Sequence, residues 1–206
     1  MKPFTKKELI SVLIILSVVF LVTLNNMIIA LRRSRDSTRK QDMGSVSDAL
    51  HRYYQDFGFF PPSSAGMIKA CKGDNFETIL GELKESSGFD RTKFFDGLRG
   101  CVWGKDSFSD LFDPSYEPYL KVFPQDPKSG EGFSYIYISN TARFQLYSSL
   151  EGNQDEAGYD SDIVKRNLLC GVKICIYGKS FTDTPLNRSI EEYEAELLEK
   201  QKSGRP

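Results

Sequence analysis

Between Leu9 and Leu31 the chain reads LISVLIILSVVFLVTLNNMIIAL, with no ionised side chain and only Ser11, Ser17, Thr23, Asn25 and Asn26 as polar interruptions. At 1.5 Å per helical residue, a run of this length crosses a hydrocarbon core of about 30 Å. It exceeds the apolar core of a secretory signal peptide, and no small-residue cleavage site follows it, so it reads as a retained transmembrane helix. A buried core helix is the alternative. That reading needs a second element apolar enough to enclose the first, and a chain with 40% hydrophobic residues overall offers none.

The helix continues past the apolar run. From Arg32 the composition becomes charged (RRSRDSTRKQD), yet no proline lies between Arg32 and Pro61. Met43, Val46, Leu50, Tyr53 and Phe57 recur at three- and four-residue steps, which gives one apolar face and one wet face. Gly44 weakens this stretch by about 1 kcal/mol relative to alanine. Phe57-Gly58 followed by Phe59, Phe60, Pro61 and Pro62 ends it, because glycine can take the left-handed conformation after the last turn and the prolines cannot continue.

With the stalk ending near Phe57, roughly 150 residues remain, one ordinary domain. The net charge of −1 gives no case for nucleic acid as a partner. Lys2, Lys6 and Lys7 precede the span while Arg32, Arg33, Arg35, Arg39 and Lys40 follow it, and the positive-inside rule alone would put the C-terminal side in the cytoplasm. The cysteines argue the other way. Cys71, Cys101, Cys170 and Cys175 all lie beyond the stalk, an even number suited to an oxidising compartment. Pairing Cys71 with Cys101 and Cys170 with Cys175 closes two separate local loops. Four reduced thiols and a single zinc site are the alternatives, the latter disfavoured because neither pair has the close spacing of a zinc knuckle.

The remaining elements read as follows. Asp74 to Leu80 begins a short helix with Phe76, Ile79, Leu80 and Leu83 on its buried side, ended by Ser86-Ser87-Gly88. Trp103, beside Cys101, is either a cover for a disulfide or an anchor at a subunit interface. Phe133 to Ile138 alternates as a strand, Ser139-Asn140 signals a turn, and Arg143 to Leu150 returns; Val172 to Tyr177 supplies a third strand. Ser189 and Glu192 form a capping box for a last short helix with an Ile190, Tyr193 and Leu197 stripe. His51, the single histidine, falls among stalk residues, and no phosphate-cradling loop or nucleophile elbow appears, so no enzymatic role is expected.

Phe4-Thr5 followed by Glu8 and leading straight into the apolar run resembles the start of mature type IV pilins and type II secretion pseudopilins, which read G-F-T-L-I-E. RRSRDSTRKQDMGSVSDALHRYYQDFGFFPP is similar to the amphipathic half-helix of G-type pseudopilins, with their aromatic-Gly-x-aromatic-Pro close. Tyr119-Leu120 with Pro124-Gln125-Asp126-Pro127 resembles the Y-L-x-x-x-P-x-D-P that opens their sheet. The resemblance implies an α+β fold in which a long transmembrane-plus-amphipathic helix packs on a small antiparallel sheet. It implies a filament subunit anchored in the cytoplasmic membrane, with its head extracytoplasmic and at times on a cell-surface fibre. Its partners would be other pilin or pseudopilin subunits, membrane lipid and the assembly machinery. Glu8 would neutralise a neighbour's freed N-terminal amine. Two departures bear on this: Pro3 stands where the family has glycine before the processed Phe4, and Lys6 and Lys7 replace apolar residues of the fibre core. The alternative is an uncleaved single-pass protein whose pilin-like head is a binding module.

The resemblance also implies a calcium ion in the loop from Leu150 to Ile163, with the Leu150 carbonyl, Asn153, Asp155, Asp160 and Asp162 as the corresponding oxygen donors. A solvated acidic turn is the alternative. The chain then divides into a leader-like cytoplasmic segment (1–8), a transmembrane helix (9–31), an amphipathic stalk helix (32–58), a connecting region with short helices (59–118), an antiparallel sheet domain (119–186) and a C-terminal helix with a tail (187–206).

Overall fold

The computed structural model of the chain describes residues 5–85, 88–152, 154 and 156–204. Helix α1 runs unbroken over Lys6–Phe57, 52 residues. Its start is a capping box: Glu8 N–H donates to Thr5 Oγ1 at 3.4 Å, and the Glu8 carboxylate accepts the Thr5 N–H at 2.8 Å. Its end is Gly58, at φ 74°, where a side chain would be strained and glycine is not.

The two halves of α1 have different surroundings. Among the described residues it is the one helix long and apolar enough to cross a membrane; its 18-residue apolar window has a mean hydropathy of 2.6, and none of that window is buried by the rest of the chain. The C-terminal half carries the head. Met43, Val46, Ala49, Leu50 and Tyr53 are buried there with Phe59, Phe60, Tyr137, Phe144 and Leu146. The expected apolar face is therefore the core face, with Phe57 at its partly buried rim.

Opposite α1 lies an antiparallel sheet in the order β4-β5-β8, made of Ile136–Ser139, Phe144–Ser148 and Tyr177–Ser180. The central strand β5 is buried at every position, covered by α1 on one face and by the C-terminal segment on the other. Gln145 reaches into that segment, donating to the Arg188 carbonyl at 2.9 Å, and helix α5, Ile190–Lys202, starts from the expected capping box of Ser189 and Glu192. The fold is thus α+β, a long apolar-headed helix with small antiparallel sheets.

Three expectations change in detail. The first strand begins at Ile136 rather than Phe133, because Phe133 forms an isolated bridge opposite Gly171, with the Ser134 N–H donating to the Cys170 carbonyl at 3.3 Å. The segment Val172 to Tyr177 is not one strand. β6 (Leu169–Cys170) and β7 (Lys173–Ile174) form their own hairpin, which the Cys170–Cys175 disulfide closes, and only Tyr177 onward joins β5. The connecting region also holds a second sheet, β1-β2-β3 (Ser63–Ser64, Met67–Lys72, Leu98–Gly100), pinned by the Cys71–Cys101 disulfide. Helices α2 (Phe76–Glu85) and α3 (Arg91–Asp96) fill the gap between β2 and β3, with Phe76, Leu80, Leu83 and Phe94 buried. Ser86 and Ser87, expected to end α2, lie outside the described residues.

This division of α1 is measurable. Leu50→Ala, at a fully buried position, costs about 2–5 kcal/mol in denaturant unfolding of the full chain in detergent micelles. Leu21→Ala, at a bare position, changes the same midpoint by less than about 0.5 kcal/mol.

Candidate functional site

The stripe Met43, Val46, Leu50, Tyr53 continues backwards along α1 at the same three- and four-residue steps through Arg39, Asp36 and Arg32. The core-facing side of the helix therefore turns from apolar to charged one turn before Met43. Arg39 is fully buried. Its Nε and Nη2 donate to the two carboxylate oxygens of Asp126 at 2.8 and 2.9 Å, a bidentate pair. Nη1 donates to Asp36 at 2.8 Å and to Glu151 at 2.9 Å, and the guanidinium lies 5.2 Å from the Phe133 ring centre.

Each carboxylate comes from a different part of the chain. Asp126 sits in the Pro124-Gln125-Asp126-Pro127 turn, where it also accepts the Lys128 N–H at 2.8 Å. Asp36 is on α1 itself and accepts the backbone N–H of Glu151 and of Gly152, both at 2.9 Å. Glu151, at the start of the loop after β5, is gripped a second time by Arg35 through two bonds of 2.7 Å. Further along the loop Arg32 pairs with Glu156, and Lys40 donates to the Ala157 carbonyl. The Arg35 bonds, with Arg39 behind them and against the opposing effect of burial, hold the Glu151 carboxyl down at about 2. Burial works to strip Arg39 of its proton, but its bonds to Asp126 and Glu151 outweigh that and hold the guanidinium charged more firmly than usual.

Nearby tyrosines tie the same helix to the head. Tyr135 donates to Asp42, and Tyr119 to Asp56 at 2.6 Å. Burial and those carboxylates both push the two phenols upward, so they stay protonated donors. Trp103 packs edge-on to Phe123 and Tyr135, beside the disulfide of Cys101, and so belongs to the head's own packing.

Two of the expected calcium donors have protein partners of their own. Asp160 caps helix α4 (Ser161–Lys165), accepting the Asp162 and Ile163 N–H groups, and Asp162 pairs with Lys165 at 2.6 Å. Leu150 lines a cavity of about 280 Å³ together with Arg33, Lys40, Gly152 and Tyr159. Asn153 and Asp155 lie outside the described residues. Among the described residues, no group of three or more His, Cys, Asp or Glu side chains is placed to hold a metal ion. At the other end of the chain, Pro3 and Phe4 also lie outside the described residues, while the Glu8 carboxylate is held on the first turn of α1 by Thr5. Thr5-x-x-Glu8 has the spacing of a capping box, a signal that the pilin-like reading of the same residues passed over. The Arg39 cluster had a weaker signal, a charged continuation of an apolar stripe.

The cluster makes stability acid-sensitive in a defined window. Glu151 binds its proton more weakly when folded, at about 2, than at its ordinary value of 4.5, so its contribution is complete above pH 4.5 and fades as the pH falls towards 2. The melting temperature of the full chain should drop across that window. Glu151→Gln should start lower at neutral pH and drop less. Comparison of the chain with protein-family models, with curated proteins and with solved structures gives no match in any of the three.

Proposed function

We propose that this chain is a structural subunit of a type IV pilus or type II secretion-like pseudopilus. In this reading it is anchored in the cytoplasmic membrane by Leu9 to Leu31, with its disulfide-bonded head outside. The observation that carries the reading is the single rod α1, one half of which packs one face into the head while the apolar window of the other half is bare. Burying a side chain such as leucine or isoleucine is worth about 1.5–3 kcal/mol, so a bare apolar half-helix needs a cover. Lipid supplies it while the subunit waits. The same half-helices of neighbouring copies supply it in a fibre.

The start of α1 fits that exchange. The capping box holds the Glu8 carboxylate on the first turn, where a neighbour's freed Phe4 amine could pair with it. An unpaired carboxylate in an apolar fibre core is costly, so such a pair selects one register over others. The two disulfides suit an oxidising compartment. No nucleic acid partner is part of this reading.

Lys6 and Lys7, both exposed, favour a second reading, in which the chain stays in the bilayer uncleaved and the head is a binding module. Lysines snorkel to headgroups at a membrane edge but need partners in a dry fibre. Shearing cells and separating fibres from membranes distinguishes the two. A filament subunit appears in the sheared fraction and Glu8→Ala confines it to membranes. Wild-type protein found in membranes alone would support the second reading and contradict the first.

A further inference from the structure

The polar side chains between Leu9 and Leu31 fall into two groups. The hydroxyls of Ser11, Ser17 and Thr23 donate to the carbonyls of Lys7, Leu13 and Val19, one turn back on α1, at 3.0, 2.8 and 2.9 Å. Asn25 and Asn26 are exposed, and among the described residues their amides have no hydrogen-bond partner. An amide carries two N–H donors and an acceptor oxygen, and the middle of a helix has no free backbone N–H to offer that oxygen. With the run centred in a hydrocarbon core of about 30 Å, Asn26 lies about 9 Å from the midplane and so about 6 Å inside the boundary. Its side chain lacks the long stem by which a lysine reaches the headgroups, and lipid tails offer it no partner. We infer that the membrane-spanning half of α1 pairs with a second copy of this chain, side by side and parallel, through a hydrogen bond between the two Asn26 amides.

The geometry selects the occupant, the direction and the face. An amide both donates and accepts, so identical amides complement each other across a twofold axis. In an antiparallel pair the two Asn26 side chains would stand about 18 Å apart along the helices, whereas in a parallel pair they share one depth. Val12, Ile15, Val19, Val22, Asn26 and Ile29 follow at three- and four-residue steps as one exposed stripe. Apart from Asn26 the stripe is β-branched throughout, and such side chains have little rotamer freedom to lose on packing. One asparagine in a seam of this kind fixes register and copy number. At about 100° per residue the stripe lies roughly a third of a turn round from the face of Asp36, Arg39, Met43 and Leu50 that carries the head, so two helices meet there with neither head between them. The neighbouring stripe of Val18, Leu21, Asn25 and Ile28 runs beneath the head, where a parallel partner would meet it.

Such pairing requires the membrane anchoring of the proposed function, but neither cleavage before Phe4 nor a fibre. The test reconstitutes the full chain, labelled at its N-terminus with a donor or an acceptor dye, into phosphatidylcholine vesicles of increasing lipid content. The wild type should float with the vesicles and show energy transfer that falls on lipid dilution along a two-copy curve. Asn26→Leu should weaken the pair by about 5–30-fold, the effect of one hydrogen bond between helices in lipid. Leu21→Ala, on the other side of the helix, should leave it unchanged. Wild-type transfer no greater than chance proximity would overturn the inference, as would a loss below about fivefold in Asn26→Leu or an equal loss in Leu21→Ala. In each of those cases a chain that floats leaves the anchored reading standing, whereas a chain that does not float contradicts both.

Discussion

Arg39 sits where α1 passes from its bare half to its packed half, about 12 Å along the helix beyond Leu31 at 1.5 Å per residue. Removing a guanidinium from water costs several kcal/mol unless partners replace the lost hydration, and breaking such a buried set by deleting one member costs about 3–5 kcal/mol. Here the replacement comes from Asp36, Asp126 and Glu151 together. The stalk, the turn that leads into the sheet and the loop that leaves it must therefore assemble as one unit. The aromatic core further up the rod then completes what the charge cluster positions, with Tyr53 stacked on Phe108 and Phe60 edge-on to Phe144.

This arrangement decides where the head can sit. Its lowest attachments to the rod, Arg32 with Glu156 and Arg35 with Glu151, lie within about one turn of the end of the apolar run. The head is thus held close to whatever covers Leu9 to Leu31. A load applied to one end of α1 passes to the sheet through ion pairs and packed rings, and no flexible linker intervenes in the helix. That is the mechanical property a fibre subunit needs, and it would serve an anchored binding module equally well.

Much of this was legible in the sequence. The apolar run, the stripe from Met43 to Tyr53, the glycine stop at Gly58, the hairpin on either side of Asn140, the Ser189 cap and both cysteine pairs follow from periodicity, turn chemistry and spacing. The charged half of the stripe was not. Arg32, Asp36 and Arg39 keep the core's period, but a pattern that counts apolar residues treats them as the wet face, and only the arrival of Asp126 and Glu151 from far along the chain makes that face interior. The partners of Asp160 and Glu151 were not legible for the related reason that carboxylates look alike in sequence whether they bind a metal, cap a helix or meet a guanidinium. Val172 to Tyr177 reads as one strand because β propensity is local, whereas the disulfide that folds it back on Leu169 and Cys170 sets its pairing.

The central claim is that the bare half of α1 belongs to a processed subunit that exchanges lipid for copies of itself, and that claim turns on its N-terminus. The most direct test is the intact mass and N-terminal sequence of the protein purified from its own membranes. The account predicts a chain beginning at Phe4, with Pro3 tolerated before the cleaved bond and Glu8 then facing a free amine. A chain that still begins at Met1 or Lys2 would contradict it, and would leave an anchored head in place of a fibre subunit.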